Sequence, residues 1–283
     1  MISLLLACAE PGDVATLPAG APLDPLGGTA PLADVSGGDC PDLGASGKVT
    51  LTSAGVPRVA RLYVPDGGSE GRPALFVWHP LGMSARTIAQ YMDAEALADA
   101  WETTIVVPDS RDENLFEWDF WTVNDYDATL YDDLRTCLVR EAGADPTRIA
   151  TTGMSAGGLW TSWLAVHRAD TLATAVPMSG GADPLFEYDT PAVPLPVLLM
   201  YGGAADVWGD EGLEVDFAAA TLDFADALAA DGNTVVLCDH GLGHTIPPEA
   251  TDMLAAWLPA HRFGAPSPFA NSLDGLPTWC EAL

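Results

Sequence analysis

Two short stretches, KVTLT (48–52) and RVARLYV (58–64), place apolar residues at every second position, the period of a strand with one buried face. ALFVWH (74–79) and TTIVVP (103–108) are apolar almost without a break, which suits strands buried on both faces. Between them, residues 84–100 change to a helical period, with Ile88, Met92, Ala96 and Leu97 on one side and Ser84 as N-cap. The exchange then repeats. A helix over 128–142, closed by Gly143 and Pro146, precedes the strand RIATT (148–152) and a helix over 156–168. Strands TAVPMS (174–179) and PVLLMY (196–201), a helix over 214–230, the strand TVVLC (234–238) and a helix over 249–260 complete the series. Residues 65–73 are Gly/Pro turn chemistry, and 110–127 has no period and reads as a long loop. This alternation predicts an α/β fold with a mostly parallel central sheet and helices on both faces, in one domain over 45–262.

Two segments fit G-x-S-x-G: GGSEG (67–71) and GMSAG (153–157). A nucleophile elbow requires a strand, a sharp turn and a helix, with small residues where strand and helix pass close. Ser155 has RIATT before it and a helical stretch after it, whereas Ser69 sits among turn residues. The partners of such a serine follow as acid, then histidine. Asp206 lies in the loop after PVLLMY and His244 in the loop after TVVLC, so three strand-end loops can converge on one rim of the sheet. Asp210, Asp183 and Asp189 are rival acids. His240 is the rival base, His167 reads as structural, and His261, past the last helix, reads as solvated. The oxyanion donors expected are the N–H groups of Ala156 and, because Pro80 has none, of Leu81.

The net charge is −29 and Lys48 is the one lysine, so the surface would repel a phosphate backbone and nucleic-acid binding is not expected. No internal apolar run is long enough to span a membrane. MISLLLACAEPGD reads as a truncated signal and lipobox-like segment (1–8), with Cys8 as the lipidation site and a route to membrane anchoring. Residues 9–44, rich in Pro, Gly and Ala, read as a flexible tether, and 263–283 as a tail packed on the domain. Cys40, Cys137, Cys238 and Cys280 suggest disulfides in an extracytoplasmic protein, secreted or held at the cell surface. Three pairings are open; a Cys238–Cys280 bridge would tie the tail to the segment before His244. No Cys/His spacing suggests a metal, and the chemistry needs no cofactor.

VWHPLG, GMSAGG, YGGAAD and GHTIP, at these spacings, look like the α/β-hydrolase fold over residues 48–262. More narrowly they resemble the esterase group of polyhydroxybutyrate depolymerases and feruloyl or acetylxylan esterases. Against the motifs of that group, Pro80 replaces a glycine, Tyr201 a histidine and Ile246 a tryptophan, with one residue inserted before Asp206. These departures fall at the pocket rim. The resemblance implies a secreted or surface-anchored serine esterase acting on an ester that can be polymeric: a polyester or a feruloyl or acetyl polysaccharide ester. FEWDFW (116–121) is similar to the group's aromatic loop, which makes Trp118, Phe120 and Trp121 candidate substrate contacts; Trp208 is a further rim candidate. A serine peptidase, an acyltransferase and a non-catalytic surface binding protein are the alternatives on this fold.

Overall fold

The computed structural model describes residues 26–111, 117–121, 124–210 and 213–283. Cys8 and the proposed signal segment lie outside the described residues, as does the tether as far as residue 25. Among the described residues, nine strands form one sheet in the order β1-β2-β4-β3-β5-β6-β7-β10-β11. They are β1 (Gly47–Ser53), β2 (Val56–Tyr63), β3 (Ala74–Trp78), β4 (Thr104–Pro108), β5 (Ile149–Met154), β6 (Thr174–Met178), β7 (Val197–Tyr201), β10 (Val235–Asp239) and β11 (Cys280–Ala282). β8 (Val207–Asp210) and β9 (Leu213–Asp216) make a separate antiparallel hairpin. β4, β3, β5, β6, β7 and β10 run parallel, while β1, β2 and β11 are antiparallel additions at the edges.

The period-2 geometry of the strands divides the core into two layers. Phe76, Trp78, Val106 and Leu199 face α3 (Tyr126–Arg140), α4 (Ala156–His167) and α5 (Phe217–Ala230). Leu75, Val77, Ile105, Met154 and Met200 face α1 (Ala85–Met92), α2 (Ala94–Ala100) and α6 (Ala250–Trp257). Every residue of β3, β4, β5 and β6 is buried, which is why these segments read as continuous apolar or small-residue runs.

Several expectations need revision. The helix expected over 84–100 is two helices, because Asp93 adopts a left-handed φ of 55° and its N–H closes onto Ala89 and Gln90 carbonyls. The helix expected from 214 begins at Phe217, because residues 213–216 pair with 207–210 instead. The tether reading fails over 26–44. Val35 and Leu43 are buried, Ser36 N–H donates to Asp133 at 2.8 Å, and Arg135 donates to Ala30 O at 2.8 Å. A Cys40–Cys137 disulfide fixes the segment to α3. Aperiodic sequence here is irregular backbone whose polar groups are satisfied by α3, not a free linker.

The C-terminal segment covers the opposite edge, with Cys238 and Cys280 bridged across the β10–β11 pair. It also buries His261, expected to be solvated but only 3% exposed. His261 Nδ1 donates to Trp257 O and Nε2 accepts from Ser267 Oγ, both at 2.7 Å, with Phe269 stacked against the ring. Burial, opposed in part by the Trp257 carbonyl, lowers its pKa to about 4. An unfolded chain protonates this ring near pH 6.5, whereas the folded chain resists until about 4. The stability conferred is therefore full above about 6.5 and lost as pH falls through about 4, on the order of 3 kcal/mol. Urea unfolding at pH 7 and pH 4 should show wild type losing about that much more than His261→Phe; identical losses would remove this assignment.

Candidate active site

In the sheet order, the chain leaves β3 toward β4 on one side, while β5 pairs on the other. β3 continues into α1 on one face and β5 into α4 on the opposite face. The segments that follow their C-terminal ends therefore leave on opposite faces, the arrangement that marks the usual place for a ligand in a doubly wound sheet. Trp78 and Gly153 are paired across it, so the turn after β3 and the turn carrying Ser155 begin side by side.

Ser155 joins β5 to α4 with φ 58° and ψ −122°, a strained conformation for a residue with a Cβ. Its N–H donates to Met178 O at 3.0 Å and its carbonyl accepts from Leu159 N–H at 2.8 Å, which hold the turn from both sides. The flanking glycines are steric requirements. A Cβ on Gly157 would collide with Trp78 O, one on Gly158 with Met178 O, and one on Gly153 would lie 2.8 Å from Trp78 O. Ser69, by contrast, is in the turn between β2 and β3, buried and bonded to Thr104 Oγ1 at 2.7 Å.

His244 Nε2 lies 2.9 Å from Ser155 Oγ, and His244 Nδ1 lies 2.7 Å from Asp206 Oδ1. Asp206 is fully buried, and its Oδ2 accepts from Ser179 Oγ and Gly202 N–H, each at 2.8 Å. Burial pushes its pKa up, but the hydrogen bonds from His244, Gly202 and Ser179 outweigh it and hold the carboxyl below its ordinary value. An ionised carboxylate only accepts, so the ring proton sits on Nδ1 and Nε2 faces Ser155 Oγ as an acceptor. Two further bonds staple the acid and histidine loops: Gly243 N–H to Gly202 O at 2.9 Å and His240 N–H to Tyr201 O at 3.0 Å. Phe217, at the start of α5, stacks on the His244 ring with centroids 4.5 Å apart.

The rival histidines make other contacts. His240 Nδ1 accepts from Leu242 N–H at 3.3 Å, and His167 packs on Trp163. Ala156 is the first residue of α4, so its N–H has no intrahelical partner and sits at the positive end of the helix. Leu81 lies in the turn after β3, and among the described residues its N–H meets no acceptor. The two turns that carry these N–H groups begin at the paired residues Trp78 and Gly153.

The aromatic loop requires a correction. Trp118 is fully buried, packs edge-on against Trp78 and donates Nε1–H to His79 O at 3.0 Å. Phe120 is 3% exposed and packs on Phe186. Neither is a rim side chain: Trp118 is held beneath the turn after β3, and Phe120, in a short 3-10 turn over Asp119–Trp121, points inward against Phe186. Trp121 (43%) and Trp208 (37%) are the exposed members of the predicted set. Sequence reasoning missed Ser179, Gly202 and Phe217, whose only signal is a position at the end of β6, at the end of β7 or at the start of a helix.

No family model matches the chain, and no curated protein does. Solved structures match in shape. The protein sOPH aligns with 18% identity over 84% of this chain and 94% of its own, with a TM-score of 0.69. An esterase from Pyrobaculum calidifontis aligns with 18% identity over 77% and 86%, with a TM-score of 0.56. FphF, a fluorophosphonate-binding serine hydrolase of Staphylococcus aureus, aligns with 16% identity over 72% and 93%, with a TM-score of 0.54. At these identities the likeness is one of fold, and the chain has the α/β-hydrolase fold.

Proposed function

We propose that the protein is a carboxylic ester hydrolase working through an acyl-enzyme on Ser155. The observation that carries this reading is the unbroken relay Ser155 Oγ–His244–Asp206, at 2.9 and 2.7 Å. In the proposed reaction His244 Nε2 takes the Ser155 proton as Oγ attacks the ester carbonyl. Ala156 and Leu81 N–H groups receive the charge that develops on the carbonyl oxygen. His244 then protonates the departing alcohol, and a water that it deprotonates releases the acid and restores the serine. The solved structures named above include a serine hydrolase and an esterase, which supports the same reading.

The proposed substrate is an ester that can be polymeric: a polyester of the polyhydroxyalkanoate kind, or a feruloyl or acetyl polysaccharide ester. Exposed apolar side chains on the site-bearing segments support it. Met83 follows the turn after β3, Trp208 follows Asp206, and Leu242 precedes His244. A cavity of about 280 Å³ lined by Met154, Ile246, Pro247 and Tyr91 lies beside the end of β5, but neither Ser155 nor His244 lines it, so it does not bear on the substrate. The two disulfides suit an oxidising compartment, which supports action outside the cytoplasm, free or anchored through Cys8.

Hydrolysis of p-nitrophenyl acetate and butyrate, followed by short polyester, feruloyl and acetyl-sugar substrates, tests the reaction and then the substrate. Turnover of both p-nitrophenyl esters is expected. Wild type inactive on every ester would end the reading.

A further inference from the structure

We propose that Glu117 is a positioning residue for the oxyanion site, holding the turn after β3 so that Leu81 N–H stays aimed at the reacting carbonyl. This rests on the esterase reading of Ser155. The turn consists of His79, Pro80, Leu81 and Gly82, and it is gripped from the neighbouring segment at both ends. Glu117 Oε1 accepts Gly82 N–H at 2.8 Å, while Oε2 lies 3.0 Å from His79 Nδ1 and 3.3 Å from Ser110 Oγ. The next residue, Trp118, donates its indole N–H to His79 O at 3.0 Å. Within the turn, Met83 N–H closes onto Pro80 O at 3.2 Å. Leu81 therefore sits inside a backbone loop pinned before and after it, with its own N–H left over.

The acidic side chain is the one suited to this place. Ser110 N–H donates into His79 Nε2 at 3.2 Å, so the ring proton is on Nδ1 and points at Glu117 and Pro80 O. Three donors, the Gly82 N–H, the His79 Nδ1–H and the Ser110 hydroxyl, thus converge on one side chain, and a carboxylate offers acceptors only. An amide at this position would turn an NH₂ toward at least one of those donors. The Glu117 side chain is 12% exposed, and its hydrogen bonds outweigh burial to keep the carboxyl ionised at neutral pH. Its backbone takes a left-handed φ of 68°, unusual for a residue with a side chain, so the chain is bent to deliver this group to the turn. Glu117 does not touch the reacting atoms; it acts through the Leu81 N–H.

The test is steady-state kinetics on p-nitrophenyl butyrate for wild type, Glu117→Gln, Glu117→Ala and Ser155→Ala, with inhibition by a boronic acid that forms a tetrahedral anion on the serine. A misaimed donor weakens binding of the anion and not of the ground-state ester. Both Glu117 variants are expected to lose about 10–100-fold in kcat with KM within about threefold, and to bind the boronate weaker by a similar factor. Should Glu117→Ala fail to fold, Glu117→Gln, which keeps shape and volume, carries the same comparison. If wild type turns over and Glu117→Gln keeps kcat and boronate affinity within twofold, the Glu117 assignment is overturned while the esterase reading stands. If wild type shows no Ser155-dependent turnover, the esterase reading falls first and this assignment with it.

Discussion

Ser155→Ala is expected to lower kcat for p-nitrophenyl butyrate by about 10⁶-fold, leaving only background hydrolysis. The size of the effect follows from there being no substitute nucleophile on the histidine among the described residues. His244 Nε2 faces Ser155 Oγ, and the other nearby hydroxyl, on Ser179, already donates to Asp206. The substitution removes one oxygen and leaves a Cβ in the strained turn, which Ser155 already tolerates at φ 58°. Thermal stability should therefore stay close to wild type, and circular dichroism should show the same fold. A variant retaining a tenth of wild-type kcat would show that another group performs the attack.

Asp206→Asn is expected to cost about 10⁴-fold in kcat. The carboxylate accepts on both sides, from His244 on Oδ1 and from Ser179 and Gly202 on Oδ2. An amide cannot do this. With its oxygen kept on Ser179 and Gly202, its NH₂ faces His244 Nδ1, which must then become an acceptor. The ring proton moves to Nε2, and that nitrogen can no longer take the serine's proton. Asp210→Asn, in the hairpin beyond, is expected to leave kcat within about threefold, since no step in the relay involves it. If Asp210→Asn produced the large loss and Asp206→Asn the small one, the acid would have to be reassigned.

The elbow was readable because its constraint is local. Gly153, Gly157 and Gly158 must be small where β3 and β6 backbones press against α4, and such a requirement leaves its mark within six residues of sequence. Asp206 and His244 were readable by order and by their place after buried strands. Ser179 was not, because it reaches Asp206 through the adjacency of β6 and β7, which no local pattern specifies, and Gly202, only four residues before Asp206, acts through a backbone N–H that carries no side-chain signal. Trp118 and Phe120 were misread for a related reason: an irregular segment has no period from which side-chain direction can be inferred, and aromatic density looks the same whether it faces solvent or Trp78. His261 and residues 26–44 erred toward exposure because both lie outside the periodic elements, yet each is held by side chains distant in sequence, Ser267 for one and Asp133 and Arg135 for the other.

In the proposed reaction Ser155 is a nucleophile activated by His244. Intact-mass measurement after treatment with a fluorophosphonate, followed by peptide mapping, tests it most directly. One adduct per chain is expected, located on the peptide containing Ser155, abolished in Ser155→Ala and formed far more slowly in His244→Ala. An adduct on Ser69 or any other residue, or no adduct from a preparation that hydrolyses p-nitrophenyl butyrate, would contradict it.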